Sequence, residues 1–134
     1  MHPVSPLHEL LYVSTLAPDA AIQVVGDIAR FARIANKELD ITGLLIFDGQ
    51  RFCQQLEGGM KVVASLFERI CLDARHIDVR LVHQGPLAER RFRRFSMGYA
   101  TVDDVDALGE LEQLDGSAAK DAFVELLPHV DWES

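Results

Sequence analysis

Three polar side chains at positions that should face inward are the residues of this chain best suited to chemistry. They are the phenol of Tyr12 and the primary amides of Asn36 and Gln54. In FCQQLEG, strand alternation puts Phe52, Gln54 and Leu56 on one face and Cys53, Gln55 and Glu57 on the other. The first set is the apolar one, so Gln54 points inward. Each donor or acceptor of a buried amide left unpaired costs roughly 1–3 kcal/mol, so something polar must meet it. In LLYVSTL every position is apolar or small apart from Tyr12, which fits a central strand covered on both sides. Asn36 lies two helical steps of four beyond Ile28 and turns toward the same layer. Taken singly, each is equally a satisfied core residue. Together they point to a polar ligand between sheet and helices.

The elements that would position them alternate along the chain. The first strand precedes a helix over about 20–37, with Asp19 placed to cap it and Val25, Ile28, Ala29, Ala32 and Ala35 or Asn36 on its apolar stripe. Ile41–Phe47 and Arg51–Leu56 form a hairpin about Asp48-Gly49. A second helix over about 60–72 buries Val63, Leu66, Phe67 and Ile70. Ile77–His83 reads as strand four, Gly85-Pro86 as a break, and Phe95–Thr101 as strand five with Phe95, Met97 and Tyr99 on one face. The order β-α-β-β-α-β plus a strand predicts an α+β, ferredoxin-like sandwich with both helices on one sheet face. Beyond Val102, Asp103 or Asp104 can cap a short helix carrying Val105, Leu108 and Leu111. Gly116-Ser117 opens another with Ala119, Ala122, Phe123 and Leu126, which Pro128 stops. These two helices should cover the free sheet face. The division expected is a core over 1–101 and a helical extension over 102–134.

Composition narrows the function classes. The chain has 134 residues, 49% hydrophobic and 25% charged, which fits one ordinary globular domain. No apolar run nears the roughly 20 residues needed to span a bilayer, and no signal-peptide pattern opens the chain, so a cytoplasmic location is expected. Cys53 and Cys71 lack metal or disulfide spacing and read as free thiols. A net charge of −8 argues against nucleic acid or an anionic membrane as partner. The cluster Arg90, Arg91, Arg93 and Arg94 is a local exception, either a solvated loop or a phosphate site. His83 falls in a strand and reads as structural.

The motifs together resemble the BLUF family, blue-light sensors using FAD. The matches are LY-x-S at Leu11–Ser14, N-x(4)-ITG-x-L at Asn36–Leu45 and F-x-Q-x-LEG at Phe52–Gly58. They continue with D-x-RH at Asp73–His76 and F-x(3)-S-MG at Phe92–Gly98. They cover about residues 7–101, in the family's order and separations. The resemblance implies FAD between the two helices, with Tyr12 and Gln54 as the photoactive pair, Asn36 on the ring edge, and Ile28, Phe52, Leu56 and Ile70 around the ring. Asp73, Arg75 and His76 would reach the ribityl and phosphate end. Arg75 offers a planar donor fork for phosphate, although Arg75-His76 alone fits a surface ion pair or helix cap equally well.

The resemblance also implies a mechanism. Light-driven electron and proton transfer from Tyr12 rearranges the Gln54 amide by rotation or tautomerisation, and Met97 on the fifth strand passes the change to the tail helices. A small reversible red shift reports it. Two departures stand out. Phe95 occupies the place where many members carry Trp, leaving Met97 as the switch partner, and Trp132 cannot fill that place by sequence. Ala35 stands where a larger side chain often borders the flavin, so the ring should be held more loosely. The implied protein is a sensor with no catalytic output of its own, signalling to a downstream protein, with self-association left open. Two other classes compete: a BLUF-like interaction module without photochemistry, and a small enzyme such as an acyl-phosphate hydrolase on the same fold. The latter would need a glycine-rich phosphate loop, which the sequence lacks.

Overall fold

A computed structural model of the protein describes residues 7–104 and 106–133. Six strands form one sheet: β1 Leu7–Leu16, β2 Thr42–Phe47, β3 Arg51–Gly59, β4 His76–Leu87, β5 Gly98–Thr101 and β6 Asp131–Trp132. Their spatial order is β4-β1-β3-β2-β5-β6. All neighbours are antiparallel except β2 and β5. The first four strands with helices α1 (Val24–Glu38) and α2 (Met60–Cys71) make the expected ferredoxin-like sandwich. Helices α3 (Ala107–Glu112) and α4 (Ser117–Leu126) follow, then a 3-10 turn over Leu127–His129.

The period of two along the strands separates two cores. Leu10, Tyr12, Leu45, Phe47, Phe52 and Leu56 pack with Val25, Ile28 and Ala29 of α1 and Val63 of α2. Their sequence neighbours Leu11, Val13, Leu44, Ile46 and Cys53 pack with Leu108, Leu111, Ala119 and Phe123 of α3 and α4. A central strand sandwiched in this way has to be apolar on both faces, which is why β1 and β2 read as continuous hydrophobic runs.

Several boundaries differ from the sequence expectation. Helix α1 begins at Val24, because residues 17–23 close as turns through Ala20 N–H to Ala17 O and Val24 N–H to Ala21 O. Asp19 therefore does not cap it, and the Gln23 side chain does not either. Strand β4 runs through Gly85-Pro86 to Leu87, where a break was expected. It is an edge strand, paired only with β1, and a sheet edge is where a residue lacking an N–H is tolerated. Strand β5 begins at Gly98, and Ser96 and Met97 are bound to α1 in place of a ladder. Phe95 is 42% exposed whereas Met97 is buried, so the two do not share a face. In the tail, Asp104 accepts the Asp106 N–H at 3.0 Å just ahead of α3. Val105, expected on that helix, lies outside the described residues. Pro128 ends α4 but is accommodated within the 3-10 turn.

Glycine is required where β2 meets β3. A Cβ at Gly43 would stand 2.0 Å from the Gln55 carbonyl oxygen, so the ITG motif keeps the hairpin closed at the level of Gln54 and Gln55. Gly43 N–H also bonds the Phe95 carbonyl at 3.0 Å, fixing the approach to Met97.

Candidate functional site

Between α1 and α2 a cavity of about 220 Å3 opens over β1 and β3. Tyr12 and Gln54 are directly paired across β1 and β3, and both side chains line the cavity. The Tyr12 hydroxyl donates to Gln54 Oε1. Gln54 Nε2 in turn donates to the Met97 sulfur at 3.4 Å. Thus the amide that had to find partners bridges a phenol and a thioether, one end accepting and the other donating. Burial pushes the Tyr12 phenol far above its ordinary range, and nearby acidic groups add to the effect, so it stays protonated at neutral pH.

Asn36 forms the opposite wall. Its Nδ2 donates to the Ser96 carbonyl at 3.0 Å. Its Oδ1 is buried with no partner among the described residues. An unpaired buried acceptor on a cavity wall calls for a donor from whatever fills that cavity. Two further bonds tie α1 to this segment: Arg33 Nε to the Met97 carbonyl at 3.2 Å and Ser96 Oγ to the Arg33 carbonyl at 2.8 Å. The loop bearing Met97 is therefore fastened to α1, the helix that carries Asn36.

At the far end, Asp73 and Arg75 form a two-pronged pair, with Arg75 Nη2 2.6 Å and Nε 3.1 Å from Asp73 Oδ2. The Arg75 hydrogen bonds hold the Asp73 carboxyl below its ordinary value. Part of the Arg75 fork is thereby occupied within the chain, in line with the ion-pair alternative left open by the sequence. His76 is buried, with Nδ1 3.2 Å from Ser14 Oγ. Burial lowers its pKa and so does the Arg75 charge, against the opposing pull of Asp73.

Of the residues singled out from sequence, Tyr12, Ile28, Asn36, Gln54, Ile70, Asp73, Arg75 and His76 line this one cavity. Phe52 and Leu56 do not; both lie fully buried in the core beneath it, where Phe52 meets the His76 ring edge-on at 5.4 Å. Met97 reaches the cavity only through Gln54. Phe31, Ala32, Leu66 and Arg69 also line it and were missed. The signal was helical spacing: Phe31 and Ala32 stand three and four residues after Ile28, and Leu66 and Arg69 stand one turn from Ile70 or from each other. Trp132 reaches the neighbourhood from β6, stacking on Phe95 with ring centroids 5.6 Å apart, although it does not approach Gln54 closely enough to bond it.

A phenol, an amide and a thioether joined by hydrogen bonds in the wall of a cavity under a ferredoxin-like sheet define a cofactor-binding sensory domain. The family model for sensors of blue light using FAD, BLUF, matches residues 7–98. The chain belongs to the BLUF family. It is 31% identical over 91 residues to the blue light- and temperature-regulated antirepressor BluF of Escherichia coli K12, covering 68% of this chain and 23% of that protein. It is 38% identical over 84 residues to the photoactivated adenylate cyclase subunit beta of Euglena gracilis, covering 63% of this chain and 10% of that protein. The chain thus spans less than a quarter of these curated relatives. The BLUF protein BlrB in its dark state superposes with a TM-score of 0.75 at 31% identity, over 91% of this chain and 92% of that one. The cofactor of the family is FAD, and the unpaired Asn36 Oδ1, the Gln54 amide and the apolar walls of Ile28 and Ile70 fit a flat ring with polar edges.

Proposed function

We propose that this chain is a light sensor in which Tyr12, Gln54 and Met97 form the switch and the α1–α2 cavity holds FAD. The observation that carries the reading is the Tyr12–Gln54–Met97 hydrogen-bonded relay in the wall of a cavity that also contains the unpaired Asn36 oxygen. Asn36 would bond the polar ring edge, with Ile28 and Ile70 against the ring faces and Phe52 and Leu56 forming the floor beneath. Arg75, oriented by Asp73, and Arg69 would meet the phosphate end near His76. When bound, FAD supplies blue-light absorption and an electron-accepting ring.

The chain's own part is proton and hydrogen-bond control. The buried phenol cannot ionise alone, so an electron leaving it for the bound ring would carry its proton with it, passed through the Gln54 amide already in contact, and both would return to Tyr12 on recombination. The primary amide can then exchange its donor and acceptor ends, breaking the bond to the Met97 sulfur. Met97 sits directly before β5, and the C-terminal helices lie across the opposite sheet face, so the change has a route outward. The reading divides the chain into a flavin-binding core over 1–101 and a helical extension over 102–134.

The output is binding to a downstream protein, with no reaction catalysed by this chain and no nucleic-acid or membrane partner. A net charge of −8 argues against nucleic acid or an anionic membrane as that partner, and among the described residues no helix is long and apolar enough to cross a membrane. A cytoplasmic location follows from the same reading. Absorption of the FAD-loaded protein before and after a blue flash tests it. A flavin spectrum that shifts red and recovers in darkness is expected. Bound flavin without a shift overturns the switch, and failure to take up flavin on reconstitution overturns the cavity assignment.

A further inference from the structure

On the sheet face away from the cavity, a buried carboxylate gathers partners from four separate parts of the chain. Glu9, on β1, is 1% exposed. Gln55 Nε2 of β3 donates to its Oε1 at 2.7 Å. Lys120 Nζ of α4 lies 3.1 Å from its Oε2, His83 Nε2 of β4 lies 3.3 Å from the same oxygen, and Arg91 Nη1 lies 3.6 Å from Oε1. Burial would raise this carboxyl, but hydrogen bonds from Gln55, Lys120 and His83 outweigh it and keep the group charged. A carboxylate with this many fixed partners holds them in one geometry, and moving one disturbs the others.

Its position gives this geometry a consequence. Gln54 and Gln55 are consecutive on β3, an inner strand hydrogen-bonded to β1 on one side and β2 on the other. They pair with Tyr12 and Leu11 and point to opposite faces. A rearrangement of the Gln54 amide acts on a peptide unit shared with Gln55, and both Gln55 and Glu9 are almost fully buried with no slack around them. Helix α4 packs along β4, and Lys120 is its charged link to β1.

We propose that Glu9 is a positioning residue for the light response, coupling Gln55 on β3 to Lys120 on α4, so that switching at Gln54 loosens the attachment of α4 to the sheet. The inference rests on the light-sensing reading above. It assigns the Glu9–Lys120 contact as a second route to the tail, separate from Met97 and β5.

The test is hydrogen–deuterium exchange of the α4 amides in the full FAD-loaded chain, in darkness and under blue light, with the absorption shift recorded on the same samples. The unmodified protein should exchange across Ser117–Leu126 about threefold faster when lit, a local opening too small to unfold the domain. Lys120→Met and Glu9→Gln should retain the red shift and lose most of that lit-minus-dark difference, whereas Lys120→Arg should retain both. Lys120 is 35% exposed in its side chain, so its variants keep the test independent of any folding defect in Glu9→Gln. A red shift with no change in α4, or an unaltered difference in Lys120→Met, overturns the proposal while leaving the sensor intact. Absence of the red shift in the unmodified protein removes the sensor reading and the proposal with it.

Discussion

Gln54 Nε2 donates to the sulfur of Met97 at 3.4 Å while Gln54 Oε1 accepts from Tyr12, so one amide is held from both ends in a definite orientation. A thioether is a weak acceptor compared with a carbonyl. The donor end is therefore the looser one, and an amide held tightly at its oxygen and weakly at its nitrogen is suited to reorganising.

Met97→Leu keeps the volume and removes the acceptor. Gln54 Nε2 is then unpaired in the dark arrangement, which raises that arrangement by about 1 kcal/mol and slows return to it by about fivefold. Flash absorption gives the recovery time directly. Recovery at the unmodified rate would remove Met97 from the switch.

Tyr12→Phe leaves the ring packed against Phe67, whose centroid is 5.6 Å away, and deletes the hydroxyl. Flavin should still bind, and the reversible red shift should vanish. Gln54→Leu should behave alike, since the acceptor of the Tyr12 proton is gone. A normal photocycle in either variant would falsify the assigned pair.

Stability should respond to His76 in mildly acid solution. Its folded pKa lies below the ordinary 6.5, chiefly because it is buried, so the unfolded chain takes up the proton first. The associated stability is fully present above that value and is lost as pH falls through it toward the folded pKa. The depressed carboxyls of Asp73 and Glu9 act in the same direction but only below their ordinary 3.8 and 4.5. Thermal unfolding should therefore show a falling midpoint from about pH 7 to about pH 5. His76→Asn, which keeps a polar partner for Ser14, should flatten that slope. A slope unchanged in the variant assigns the effect to another group.

Gly43→Ala places a methyl group against the Gln55 carbonyl oxygen. Backbone on both sides leaves nothing flexible to yield, so the hairpin must open, at a cost of about 2–4 kcal/mol. Denaturant unfolding measures it. Gly49→Ala is a useful contrast: nothing lies within 4 Å of its Cβ, and its cost comes only from φ +100 at the turn.

Much of the site was legible in the sequence because strand alternation is a local rule. Once Phe52 and Leu56 were placed inward, Gln54 had to follow, and it is 4% exposed. The same period put Leu11 and Cys53 against the tail helices. Helical spacing likewise turned Asn36 inward. The errors fell where local rules compete with contacts from elsewhere. Phe95–Met97 looks like strand, yet Arg33 and Asn36 bind Ser96 and Met97 to α1 before β5 begins. Gly85-Pro86 looks like a break, yet an edge strand tolerates it. The arginine cluster is a loop whose Arg90 bonds Thr42 Oγ1 and the Asp40 and Glu57 carbonyls, and whose Arg91 and Phe92 N–H groups bond the buried Glu57 carboxylate.

By itself the sequence determined which side chains face inward, the order of the elements and the motifs that mark a BLUF domain, because each depends on periodicity or on short fixed spacings. Only the tertiary structure decided who meets whom. Residues 42 positions apart bring Tyr12 onto Gln54, Asp73 takes up part of the Arg75 fork, Trp132 arrives beside Phe95, and Glu9 draws in Lys120 from the far end of the chain. Such pairings are set by strand register and layer packing, which are properties of the assembled sheet and are absent from any local stretch of the chain.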